Sequence, residues 1–128
     1  MLHKALKAYL SDIEQAVIGC DAYVEHYREE ILTPERINLR IRLRFDNGCL
    51  LEIGEAVVVE HGRLEHLDYR YHCQDDNNRL LFRYDSTPHF PQLASFPHHK
   101  HLATEVIESK RPAIPQVIEE AVIEARQF

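Results

Sequence analysis

The sequence predicts an α+β fold: an antiparallel meander of five or six strands flanked by an N-terminal and a C-terminal helix. Three observations lead there. Apolar residues recur at three- and four-residue steps near both ends, as on amphipathic helices. Between them, segments of two-residue alternation are separated by tight-turn sequences with nothing helical linking them, which distinguishes the fold from a doubly wound parallel sheet. A length of 128 residues, 45% of them hydrophobic, suits one domain spanning residues 1 to 128.

Leu2, Leu6, Tyr9, Leu10, Ile13 and Val17 form one stripe, so residues 3 to 18 read as a helix that Gly19 can end. The segment AYVEHYREEIL reads as a first strand closed by Thr33-Pro34. RINLRIRLRF then alternates strictly, with Ile37, Leu39, Ile41, Leu43 and Phe45 opposite Arg36, Asn38, Arg40, Arg42 and Arg44, the pattern of a half-buried strand. Asp46-Asn47-Gly48 supplies a tight hairpin, and CLLEIGEAVVVE returns beside it. His61-Gly62-Arg63 turns the chain into LEHLDYRYHCQ, and residues Asp75 to Asn78 turn it into RLLFRYD. Residues 86 to 101, with three prolines and four histidines, read as a long loop. HLATEVIES fits both periods, as an edge strand or the start of a helix. Pro112 and Pro115 suit the start of a final helix over about 114 to 127, whose stripe is Val117, Ile118, Ala121, Val122 and Ala125.

No segment approaches the roughly 18 apolar residues of a membrane span. The N-terminal MLHKALKAYLSDIEQ carries charges where a signal peptide needs an apolar run, so a cytoplasmic protein is expected. Cys20, Cys49 and Cys73 have no CxxC spacing, which argues against disulfide and zinc-finger scaffolds. The net charge of -6 argues against coating nucleic acid by bulk electrostatics. It conceals a neutral middle, where residues 36 to 83 carry eight basic and eight acidic side chains and every cation is arginine. Arginine grips phosphate in a fixed fork, so a local phosphate-reading face is compatible with the acidic total.

Alternation groups Arg40, Arg42 and Arg44 on one face of their strand, and the same counting groups His66, Asp68, Arg70 and His72, then Arg83 and Asp85. Singly, these read as the solvated side of an antiparallel sheet. Together, seven arginines without a lysine between residues 40 and 83 indicate planar contacts to phosphate or carboxylate. A second constellation is Phe96-Pro97-His98-His99-Lys100-His101, with His89 earlier in the same loop. Imidazole, with an ordinary pKa of about 6.5, both takes and gives a proton near neutrality, so histidines beside a cation suit phosphoryl transfer. Neutral imidazole is also a zinc ligand, although no HExxH is present, and a solvated histidine loop is the plain alternative. Among carboxylates, Glu52 and Glu55 lie in the third strand, where cross-strand pairing is the ordinary role. Asp85 stands at the mouth of the histidine loop, where it can orient an imidazole.

Residues 69 to 101, YRYHCQDDNNRLLFRYDSTPHFPQLASFPHHKH, resemble the TumE-type toxins of prokaryotic toxin-antitoxin pairs. The likeness rests on the Tyr-Arg-Tyr-His strand, on Arg-Tyr-Asp followed by Pro-His, and on Phe-Pro-His-His-Lys-His. It extends to the Asp-Asn-Gly turn, Leu-Glu-Ile and Glu55 ahead of this run, and to Ser109, Pro112 and the apolar terminal helix behind it. The resemblance implies a toxin encoded beside a small DNA-binding, helix-turn-helix antitoxin, and an activity as a ribonuclease. Arg83, Asp85, His89, His98, His99, Lys100 and His101 match its motif as catalytic candidates, with Tyr71, His72 and Glu55 as lesser ones.

General chemistry then describes a route without metal or other cofactor. A base removes the 2′-hydroxyl proton, cations stabilise charge around phosphorus, and an acid protonates the departing 5′-oxygen. His98 or His101 is expected as base and acid, Lys100 with Arg83 as phosphate clamp, and Asp85 as orienter. Arg40, Arg42, Arg44, Arg70, Tyr71 and His72 are expected to bind RNA, while Tyr69, Tyr71 and Tyr84 either stack on bases or pack in the sheet. Two rival readings stand beside this one. One is a metal-dependent hydrolase or nuclease ligated by His89, His98, His99 or His101; the other is a non-catalytic module that binds RNA or protein. A homodimer is a further candidate assembly, and no membrane partner is expected.

Overall fold

The computed structural model describes residues 1–127. Seven strands form one sheet in chain order, every neighbouring pair antiparallel: β1 (Tyr23–Thr33), β2 (Arg36–Arg44), β3 (Leu50–Glu60), β4 (Arg63–Gln74), β5 (Leu80–Asp85), β6 (His99–His101) and β7 (Val106–Glu108). Helices α1 (Lys4–Gly19) and α2 (Ile114–Ala125) flank this α+β sheet. The expected count of five or six strands becomes seven. The segment read as loop throughout, residues 86 to 101, ends in β6, and the ambiguous 101 to 109 contains edge strand β7 rather than a helix. Three-residue strands are too short to display a hydrophobic period, and β6 consists of two histidines and a lysine.

The core lies between the helices and one sheet face. Leu6, Leu10, Ile13 and Val17 of α1 and Ile114, Val117, Ile118 and Ala121 of α2 pack with Ile37, Leu39, Ile41 and Leu43 of β2. Each fully buried Leu or Ile contributes roughly 1.5–3 kcal/mol. At its start, α1 uses His3 Nδ1 to accept the Ala5 N–H at 3.0 Å. In α2, Pro115 sits in the first turn, where its missing N–H costs nothing, and Gln116 Oε1 accepts the Ala113 N–H at 3.2 Å. The β2–β3 hairpin needs Gly48: its φ is +89°, and a Cβ there would lie 2.6 Å from Asp76 Cβ.

One irregularity changes a face assignment. Ala56 pairs with Asp68 while Val57 pairs with His66, so Leu67 is an extra residue in β4. The bulge leaves Leu67 50% exposed and reverses parity beyond it. His66 therefore faces the helices instead of joining Asp68, Arg70 and His72, as uninterrupted alternation predicts. Among the described residues, no helix is long and apolar enough to cross a membrane.

Candidate functional site

Strand β6 divides the histidine–lysine motif between two environments. Asp85 pairs with His99, Tyr84 with Lys100, and Arg83 with His101. Successive side chains leave opposite faces of a strand, so His99 and His101 join Asp85 and Arg83 on the face away from the helices, while Lys100 joins Tyr84 beneath α2. His98 also turns to the helix side, where its Nδ1 lies 2.9 Å from the Tyr69 hydroxyl and its ring stacks on that tyrosine.

The ladder pairings assemble two rows across the open face. Arg28, Arg40, Gly54, Arg70, Asp85 and His99 form one; Arg42, Glu52, His72, Arg83 and His101 form the other. A concave region of about 870 Å³ is lined by Arg40, Gly54, Arg70, His72 and Ser86 among others. Gly54 helps to keep it open, since a Cβ there would stand in free space, with nothing within 4 Å. The arginines are not equivalent. Glu25 binds Arg42 at 2.8 Å and Arg44 at 3.0 Å, Glu52 lies 3.3 Å from Arg42, and Glu30 holds Arg28 at 2.8 Å. Arg40 and Arg70 are exposed and, among the described residues, form no ion pair.

At the end of both rows stands a compact group. Asp85 Oδ1 lies 2.9 Å from His99 Nε2, Asp85 Oδ2 lies 3.4 Å from His101 Nε2, and the two Nε2 atoms are 3.0 Å apart. Asp85 is 5% and His99 1% exposed; His101 is half-buried. The carbonyl of Pro97 can only accept, so His99 Nδ1, 2.9 Å away, carries a hydrogen. Asp85 Oδ1 also accepts the Thr87 N–H at 3.0 Å, and Phe90 lies edge-on to both imidazoles with centroids 4.8 and 5.7 Å away. Desolvation lowers the pKa of His101 against the opposing pull of Asp85, so the neutral ring is favoured. Across Arg83, His72 is likewise lowered by burial; its Nδ1 accepts from Arg83 Nε at 3.0 Å and its Nε2 meets Gln74 Oε1 at 2.8 Å.

The helix side holds a second polar cluster centred on Glu55, which is 5% exposed. Its carboxylate accepts from the Tyr9 hydroxyl and from the Tyr71 hydroxyl at 2.6 Å, and lies 3.3 Å from His66 Nε2. Arg111 donates in turn to Tyr71 at 3.2 Å. Burial favours the neutral acid, yet His66, Tyr71 and Tyr9 outweigh it and hold Glu55 below the usual carboxylate range. Nearby, Lys100 binds Glu120 at 2.7 Å and sits over the Tyr84 ring. Burial opposes its charge, but the bonds to Glu120 and Tyr84 raise its pKa.

Of the expected site residues, Asp85, His99, His101, Arg83, His72 and Arg70 meet on the open face, with Arg40 at its far side. His98 and Lys100 lie across the sheet from Arg83, so the expected Lys100–Arg83 clamp does not form. His89 is exposed in the loop, beside only the edge of Phe90 among the aromatic rings. Tyr69, Tyr71 and Tyr84 are buried in the sheet rather than presented as base-stacking platforms. Sequence reasoning missed Phe90 and Arg111, saw Tyr9 only as part of an apolar stripe, and set His66 on the wrong face; a lone residue within a stripe or loop carries no periodic signal for such a role.

A family model described as Toxin TumE matches residues 11–127. No curated protein and no solved structure matches the chain.

Proposed function

We propose that this chain, which belongs to the TumE toxin family, is the single-domain toxin of a toxin-antitoxin pair and acts in the cytoplasm as a metal-independent ribonuclease on its open sheet face. The observation that carries this reading is the row His72–Arg83–His101. With strands about 4.8 Å apart, the two imidazoles stand on neighbouring strands to either side of a guanidinium, about 10 Å apart at the backbone. A phosphodiester seated on Arg83 then has a proton carrier on each side, whereas His99 and His101, in mutual contact, act as one unit.

Roles follow from the hydrogen bonds. His101 directs Nε2 toward the acceptors Asp85 and His99, which holds its hydrogen there and leaves Nδ1 as the basic nitrogen, as in other carboxylate–imidazole arrangements. Nδ1 takes the 2′-hydroxyl proton as the 2′-oxygen bonds to phosphorus; the bond to the 5′-oxygen breaks, and His72 in its protonated form supplies that oxygen's proton. The product is a 2′,3′-cyclic phosphate. Incoming phosphate that draws Arg83 from His72 Nδ1 frees that nitrogen for its task. Arg70 and Arg40, which form no ion pair among the described residues, track the neighbouring phosphates. DNA lacks the attacking hydroxyl.

The family implies an antitoxin partner, and we propose a small DNA-binding, helix-turn-helix protein encoded alongside. Incubating purified chain in EDTA with RNA, DNA and 2′-O-methylated RNA tests the chemistry. Cleavage of unmodified RNA alone, with cyclic-phosphate ends, is the expected result. RNA that is bound but intact both in EDTA and with added divalent metal selects the non-catalytic module instead, and cleavage only with the metal selects the metal-dependent nuclease.

A further inference from the structure

We propose that Asp85, His99 and His101 form a binding site for a divalent transition-metal ion of the zinc class, through one Asp85 carboxylate oxygen and the Nε2 atoms of both histidines. The argument starts from proton counting. With its hydrogen on Nδ1 for Pro97, neutral His99 points a lone pair at Asp85 Oδ1, 2.9 Å away, and at His101 Nε2, 3.0 Å away. A proton added to His99 gives Asp85 Oδ1 a donor at 2.9 Å, but holds two N–H groups 3.0 Å apart and leaves that of His101 only the long 3.4 Å contact to Oδ2. A cation among the three satisfies all of them at once.

The dimensions agree. Around a tetrahedral ion with bonds near 2.0–2.2 Å, ligand atoms lie about 3.3–3.6 Å apart. Here His99 Nε2 lies 2.9 Å from Asp85 Oδ1 and 3.0 Å from His101 Nε2, the 3.4 Å contact of His101 is to the other oxygen, Oδ2, and one ligand atom from each residue lies within 4.8 Å of the others, so an ion opens the two short edges by a few tenths of an ångström. Two imidazoles and one carboxylate favour zinc or its neighbours over magnesium or calcium. Outer contacts of the kind that orient metal ligands are present: His99 Nδ1–H donates to Pro97, the Thr87 N–H holds Asp85 Oδ1, and Phe90 covers both rings. Three protein ligands leave a fourth position. Arg70, opposite Asp85, and Arg83, opposite His101, make an anion its fitting occupant.

The ion bears directly on the reading under Proposed function, because both use His101. With metal on Nε2, the ring's one hydrogen resides on Nδ1, which then cannot accept a proton. Zinc is therefore expected to suppress metal-free RNA cleavage.

Metal-depleted protein titrated calorimetrically with Zn²⁺, and with Co²⁺ followed by its visible spectrum, tests the site. Uptake of a single ion per chain at micromolar or tighter Kd is expected, weakened by roughly 100-fold or more in Asp85→Asn and His101→Gln. His61→Asn, in an exposed turn, is expected to leave binding unchanged. If Asp85→Asn fails to fold, half-buried His101→Gln still decides. Absence of stoichiometric uptake, or equal affinity in His101→Gln, overturns the inference whatever the RNA result. Stoichiometric uptake together with cleavage that requires the ion upholds the site and overturns the metal-free route instead.

Discussion

The two polar clusters on opposite sides of the sheet are each built around a buried carboxylate beside histidine and reach opposite outcomes. Around Glu55, donors and acceptors match: Tyr9, Tyr71 and His66 supply hydrogens to the carboxylate, and Arg111 supplies one to Tyr71. Around Asp85, acceptor atoms outnumber the hydrogens that neutral rings bring. A balanced buried network fixes structure, because any change leaves a polar group unpaired. An unbalanced one is poised to take up a proton or a cation, and so is suited to chemistry. A buried carboxylate beside histidine does not by itself distinguish the two clusters; the hydrogens that Tyr9, Tyr71 and Arg111 bring to one of them do.

The largest expected effect breaks the open side. His101→Ala is expected to reduce RNA cleavage by about 10²- to 10⁴-fold and to abolish growth inhibition, with the melting temperature nearly unchanged. Comparable losses of cleavage in His101→Ala and Lys100→Met would dissolve the division between faces. The helix side should respond in stability instead. Glu55→Ala strands Tyr9, Tyr71 and Arg111 and is expected to cost about 3 kcal/mol, read by denaturant unfolding. Smaller still is the difference between two arginines. Arg40→Ala should reduce the slope of log affinity against log salt for RNA by about 1, and Arg42→Ala by much less, because Glu25 and Glu52 already engage it. Equal slopes would return Arg40 to the status of a solvated side chain.

Acid sharpens the contrast further. Glu55 has a lower pKa folded than unfolded, so its contribution to stability is complete above the unfolded value and is lost as pH falls through the folded one. Thermal melts should therefore lose more stability on acidification below about pH 4 in the parent than in Glu55→Gln. The mildest check concerns how closed the helix side is. Burial pushes the Cys73 thiol up to about 12 and raises that of Cys49, so a thiol reagent should label only half-exposed Cys20 in the native protein. Fast labelling of Cys73 would show that side to be open.

The strict alternation in β2 and the Asn47-Gly48 hairpin made the central meander legible, since a half-buried strand writes its burial into every second residue. Both helices were legible for the same reason, at their longer period. The final strands were not, because β6 has only three residues and no apolar member. At the site, the pairing of arginines with histidines was readable as a shared chemistry but not as a shared surface. The Leu67 bulge removed His66 from the open face, and its trace in the sequence is slight: Leu64 falls out of phase with Tyr69, Tyr71 and Cys73. Glu25 captured Arg42 and Arg44 from a neighbouring strand, and such a contact depends on register that no single strand encodes.

The brevity of β6 also makes the motif sensitive to phase. One residue added or removed between Thr87 and Pro97 could shift which members of His98-His99-Lys100-His101 reach each side of the sheet, while leaving every letter of that motif in place. A homologue carrying such an insertion would still be recognisable by its spelling and could fold, yet His99 and His101 would address the helices, and Lys100 and His98 the groove. Among related chains, the length of this loop is therefore a better indicator of retained chemistry than the histidines themselves.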